Sequence, residues 1–261
     1  MSHVLAIHGI VGQPRTAGPR TEWLPAILDG LAFGGSPTRA VDLTFVDVGG
    51  IRAANDDDAD GSAAAARQEG IILHWCRSLG LVERGQALSA FPAGVVPDGL
   101  VEELATSQFF GGWEPTEIRA YARQIDQHLH DPDVGATARE HIRAALAADV
   151  DVVIAHSVGS ASAYRAVNAA ADGRRRTLLT IGSPMGLLGT PRGDRRPGPG
   201  LARWYNVVDN RDPVPVVKDL RPLYGDTVRD VRCHRYPRAR GIREYLATPE
   251  FGAALAEALA G

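Results

Sequence analysis

The sequence predicts an α/β protein: a mainly parallel sheet with helices on both faces. Three observations carry this. Short, nearly unbroken apolar runs recur at 3–10, 43–48, 150–155, 177–181, 203–208 and 228–236, the mark of strands buried on both faces. Segments with helical apolar spacing lie between them. A chain of 261 residues with 44% hydrophobic content can bury one large core, and nothing divides 1–261 into two domains.

The first strand is His3–Ile10, ending in His8-Gly9. A loop with Gly12 and Pro14 follows, then a helix from Thr21 to Leu31 and a strand over Leu43–Val48. Residues 51–149 carry no strand signal and read as largely helical, long enough for crossover helices and a small cap before the next strand. Ile71, Ile72, Trp75 and Leu79 mark one helix. Ile118, Tyr121, Ala122, Ile125 and Leu129 mark a second after Pro115, and Ile142, Ala145 and Leu146 a third. Between the first two, Phe109-Phe110-Gly111-Gly112-Trp113 is a candidate lining for an acyl or aromatic substrate pocket, with core packing as its commoner use.

The central stretch is Val150–Tyr164. An apolar strand runs into Ala155-His156-Ser157-Val158-Gly159, and a helix opens at once behind it. This is the context of a nucleophile elbow, where one serine sits on a sharp strand-to-helix turn and the positions two before and two after must be small. Ser157 is the candidate nucleophile. Ala155 in place of the first glycine is a mild departure.

Arg174-Arg175-Arg176 precede the strand Thr177–Ile181, which ends in Gly182-Ser183-Pro184. The Gly/Pro/Arg-rich segment 186–200 has no periodicity and suggests a mobile lid. Arg203–Val208 is a strand leading into Asp209-Asn210-Arg211-Asp212-Pro213, Val228–Tyr236 is the last strand, and Glu244–Leu259 is the closing helix.

Charge and composition exclude several classes. The net charge of −3 divides unevenly, with 11 Lys+Arg against 20 Asp+Glu in 1–150 and 17 against 11 in 151–261. The basic second half could favour an anionic ligand, though a solvated arginine-rich surface is its commoner explanation. Cys76 and Cys233 are too few for a disulfide framework. Asp56–Gly61 opens like a calcium loop, but Arg67 stands where a bidentate Glu is needed. No metal, cofactor or nucleic-acid motif is present, no apolar run reaches a membrane span, and no secretion signal precedes the first strand. The expectation is a cytoplasmic, cofactor-free protein with a small-molecule ligand.

The ordered set of HG after the first strand, AHSVG, GSP, DPVP and a terminal Tyr-Leu helix resembles the α/β-hydrolase superfamily, in its small bacterial lipase/esterase-like branch. The resemblance covers the whole chain, with 51–149 alike only in general character. It implies Ser157 as nucleophile, main-chain N–H groups of Ile10 and Val158 as the oxyanion hole, and Asp212 as the triad acid, with Asp209 as the alternative; His8 is a candidate substrate contact, or else a core histidine that only buttresses the loop. It also implies a histidine between the last strand and the closing helix. That loop, 237–243, has none; Arg240 or Arg243 stands there. The one histidine beyond Asp212 is His234, on the last strand or at its end.

A serine without a base is a poor nucleophile, and an arginine stays protonated. Two readings follow. In one, His234 is the base and the protein is a serine hydrolase for an ester or thioester. In the other, the triad is degenerate, and the pocket serves a non-hydrolytic step or only binds, with Arg240 and Arg243 gripping an anion.

Overall fold

A computed structural model describes residues 2–9, 19–36, 40–53, 61–146, 149–187, 197–235 and 241–261. Its centre is a six-stranded sheet in the order β2-β1-β3-β4-β5-β6, with every pairing parallel. The strands are β1 (Ser2–His8), β2 (Val41–Asp47), β3 (Val150–His156), β4 (Arg176–Ile181), β5 (Leu201–Asp209) and β6 (Val228–Cys233). All six apolar runs are strands. The α/β class is therefore as expected, and the parallel order explains the unbroken apolar runs: β3 and β4 are covered on both faces.

One face is covered by α1 (Pro19–Phe33), α8 (Ile242–Leu246) and α9 (Pro249–Leu259). Trp23, Ile27 and Leu31 of α1 meet Phe251 and Leu255 of α9 over Val4, Val152, Leu179 and Val207. The crossing is close enough that a β-carbon at Gly252 would stand 1.6 Å from the Gly30 carbonyl oxygen. Only glycine fits there. The expected single closing helix is two, because Pro249 follows Thr248, whose side chain caps α9 by accepting from Phe251 N–H.

The opposite face carries α2 (Gly61–Ser78), α3 (Asp98–Thr106), α4 (Pro115–His130), α5 (Pro132–Ala145) and α6 (Gly159–Ala169). Ile71, Trp75, Phe110, Ile118 and Ile125 share one apolar cluster with Leu5, Val153 and Leu178, so the 51–149 helices rest on the sheet itself. The sequence marked α2, α4 and α5; it did not mark α3, whose apolar positions Val101 and Leu104 make a single turn of stripe. A four-residue helix, α7 (Arg221–Tyr224), precedes β6. No helix among the described residues is long and apolar enough to cross a membrane. Most of the expected lid, 188–196, and the calcium-like stretch, 54–60, lie outside the described residues.

Candidate functional site

Parallel strands bring their C-terminal ends to one edge, and the loops leaving that edge form the crevice where α/β proteins bind ligands. Ser157 stands there, between β3 and α6. Its φ of +53° is in the left-handed region, one of two such non-glycine residues among those described. Its N–H donates to Ile181 O at 3.0 Å, and Ser160 Oγ donates to Ala155 O at 3.1 Å, so the turn is pinned from both sides. A β-carbon on Gly9 would lie 2.2 Å from Gly159 N, and one on Gly159 3.0 Å from Ile7 Cγ2. The end of β1 therefore abuts the elbow, held by Gln124 Nε2, which donates to Gly49 O at 2.8 Å and to Gly9 O at 3.3 Å. Val158 is fully buried at the mouth of α6, where its N–H has no intrahelical acceptor by position. Ile10, the other expected oxyanion donor, lies outside the described residues.

The Ser157 hydroxyl is buried and shares a 2.7 Å hydrogen bond with Tyr121 OH. Tyr121 comes from α4 and stacks on Trp75, with ring centroids 5.6 Å apart. Burial pushes its phenol pKa well up, although the Ser157 hydrogen bond acts in the other direction, so this group is a neutral partner and no base.

The two aspartates divide. Asp209 ends β5 and accepts from Arg211 N–H at 2.8 Å, and from Arg235 N–H and Nε, each at 3.2 Å. Burial raises its pKa, but these donors outweigh burial and hold it below the ordinary carboxylate value. Asp212 faces the crevice. Its Oδ2 accepts from Tyr245 OH at 2.7 Å and lies 3.6 Å from Arg235 Nη2, while Oδ1 accepts from Val214 N–H at 2.9 Å. The turn-forming and crevice roles of Asp212 thus coincide, one on each oxygen.

His234 is not at this site. Its side chain is 78% exposed, and its Nδ1 lies 3.3 Å from Glu250 Oε1. The reason is the two-residue alternation of a strand end: Cys233 and Arg235 turn inward and His234 turns out. The inward residue, Arg235, occupies the place that the sequence reading gave to a histidine partner of Asp212. Its guanidinium carbon lies 4.2 Å from the Tyr245 ring centre. Arg243 is exposed on α8 and does not line the crevice; Arg240 lies outside the described residues.

All eight histidines are described, and one of them, His156, lines the chamber beside Asp212 and Tyr245. Its Nδ1 is buried without a hydrogen-bond partner. Burial first, then the nearby His8 and Arg235, holds its pKa well below normal, so the imidazole is neutral. His8 does not line the chamber. It packs between Trp23 and His156, ring centroids 5.9 and 5.5 Å away, so the expected substrate contact is a core histidine at the end of β1.

Of the aromatic cluster, Phe109 and Trp113 line the chamber, whereas Phe110 is fully buried against Trp75 and belongs to the core. The chamber is narrow, about 20 Å³, room for little more than one water. Through Phe109, Asp212 and Arg235 it adjoins a larger cavity of about 460 Å³, which also reaches Leu79, Arg211 and Lys218. Tyr121, Tyr245, Arg235 and Lys218 are the site residues that sequence reasoning missed. The terminal Tyr-Leu pair flagged the helix of Tyr245, and strand alternation beside buried Cys233 was the available signal for Arg235. No cluster of metal-binding side chains occurs among the described residues. Comparison of the chain with protein-family models, curated proteins and solved structures gave no match.

Proposed function

We propose that the protein is a hydrolase of the α/β-hydrolase type acting on an ester or thioester of a small organic or acyl molecule, with Ser157 as nucleophile, and that its turnover is slow. The observation that carries this reading is the backbone of Ser157. A left-handed conformation at a serine costs about 1–2 kcal/mol, and neither the sheet nor α6 needs it. It sets the serine at the C-terminal end of β3, next to the first residues of α6. The tetrahedral oxyanion of acyl transfer requires amides such as these residues carry.

The slowness follows from the partners. Neither Ser157 nor Asp212 is hydrogen-bonded to an imidazole, and the phenol on Ser157 stays protonated. Losing general-base assistance costs roughly 10²–10⁴ in rate. His156 is the neutral imidazole that lines the chamber and is the proton acceptor this reading assigns to the reaction.

A second reading rests on a different observation. Ser157 is buried with its hydroxyl bonded to Tyr121, and both oxygens of Asp212 are occupied, which suits a pocket that holds a ligand without turning it over. Intact-protein mass after exposure to a fluorophosphonate separates the two. One adduct on the wild type, absent from Ser157→Ala and weaker in His156→Gln, supports the hydrolase. No adduct on the folded protein supports the binder.

A further inference from the structure

The larger cavity is lined by charged groups whose hydrogen-bonding capacities are unequally used. Asp209 accepts from the main-chain and side-chain N–H groups of Arg211 and Arg235, and Asp212 from Val214 N–H and Tyr245 OH. A carboxylate offers about four acceptor sites, so Asp209 is filled and Asp212 keeps about two. The donors are in surplus. Lys218 Nζ donates to the main-chain oxygen of Asp212, and no carboxylate lies within ion-pair distance of it among the described residues. An ammonium has three N–H donors, which leaves two. Arg211 and Arg235 line the same space, and Leu79, Phe109 and Pro213 supply an apolar wall. Burial holds the Lys218 pKa down; Asp212 and Asp209 oppose this, and Arg232 and Arg235 reinforce it.

We infer that this cavity takes the carboxylate end of an organic monoanion, with Lys218 as its charged contact and Phe109 against its apolar body. This rests on the reading of Ser157 as the reacting centre: the shared wall of Phe109, Asp212 and Arg235 then makes the substrate an ester or thioester that carries a free carboxylate, its scissile carbonyl in the narrow chamber and its acid end in the wide one. Among substrates of equal size, the site selects the charged one.

Binding tests it without relying on turnover. Hexanoate and 4-phenylbutyrate, each against its neutral amide, are titrated calorimetrically into the wild type, Ser157→Ala, Lys218→Gln and Lys218→Arg. The acids are expected to bind about tenfold tighter than the amides to the wild type, Ser157→Ala and Lys218→Arg, and no more than about twofold tighter to Lys218→Gln. Equal binding of acid and amide to the wild type, an acid preference that survives Lys218→Gln, or no binding of either acid to the folded protein would overturn the inference. Should Lys218→Gln not fold, loss of the acid preference in folded Lys218→Met decides in its place. A Lys218-dependent preference with no fluorophosphonate adduct leaves this inference standing and removes the hydrolase.

Discussion

Replacing Ser157 by alanine and, separately, by glycine isolates the backbone from the hydroxyl. Both variants lose the 2.7 Å bond to Tyr121 OH, and both leave that phenol buried without its partner, so these losses cancel in the comparison. What differs is the β-carbon at φ +53°. Alanine keeps it and pays about 1–2 kcal/mol for the left-handed conformation; glycine loses that strain but gives up about 0.4–1 kcal/mol through its freer unfolded chain. The glycine variant is therefore expected to be the more stable by about 0.5–1 kcal/mol. In an ordinary helix or strand the order is reversed, with alanine ahead by about the same amount. For a domain of this size the difference amounts to roughly 1–4 °C in Tm. Equilibrium urea unfolding, followed by the fluorescence of the four tryptophans with the two slopes shown to be equal, measures it. If Ser157→Ala matches or exceeds Ser157→Gly, the turn is not strained, and the observation on which the proposed function rests is gone.

Arg235→Met should cost about 3–5 kcal/mol, because it strips Asp209 and Asp212, both nearly fully buried, of their shared inner cation; urea unfolding that shows a loss below about 1 kcal/mol would mean that Arg211 already compensates them. Stability should fall as the pH drops below about 6.5. There the unfolded chain protonates its histidines, while His156 and His128 stay neutral in the fold, His128 down to about 4 because of burial and then Arg52 and Arg165. Each contributes a slope of up to about 1.4 kcal/mol per pH unit, and His128→Gln should flatten the limb between pH 6.5 and 4; an unchanged slope contradicts the shift. Further acidification adds the loss from Asp126. Burial raises its pKa, but His130 and Arg67 outweigh this and hold its carboxyl below normal. Its contribution is present above about pH 4 and disappears as the pH falls through the folded value, an effect that Asp126→Asn should abolish in the same titration.

The strands were legible because a parallel sheet covered on both faces writes itself as unbroken apolar runs. Val152 to Ala155 and Leu178 to Ile181 needed no periodicity to be read. Ser157 was legible for a related reason: the elbow is local, and its residue types follow from contacts within a few positions and with Gly9. The partners of Ser157 and Asp212 were not. Tyr121 reaches Ser157 from 36 residues away, on a helix whose apolar stripe gives Tyr121 the same look as its neighbours Ile118 and Ile125. Tyr245 reaches Asp212 across 33 residues. For His234 the strand was read to Tyr236, whereas β6 stops at Cys233, and one position of register separates a buried side chain from an exposed one.

The near-contact of Gly30 with Gly252 bears on how the protein is made. More than two hundred residues separate the two in the sequence, and the other close approach on that flank, a β-carbon on Gly30 at 2.0 Å from Leu246 O, also joins α1 to the far end of the fold. While the ribosome is still translating, Trp23, Ile27 and Leu31 have their eventual neighbours Phe251 and Leu255 missing, and the sheet face over Val152 and Val207 stays uncovered until α9 emerges. Such long-range closure is slow to form and leaves apolar surface open to wrong partners in the meantime. The glycine pair, 222 positions apart in the sequence, is accordingly a late, long-range contact of folding.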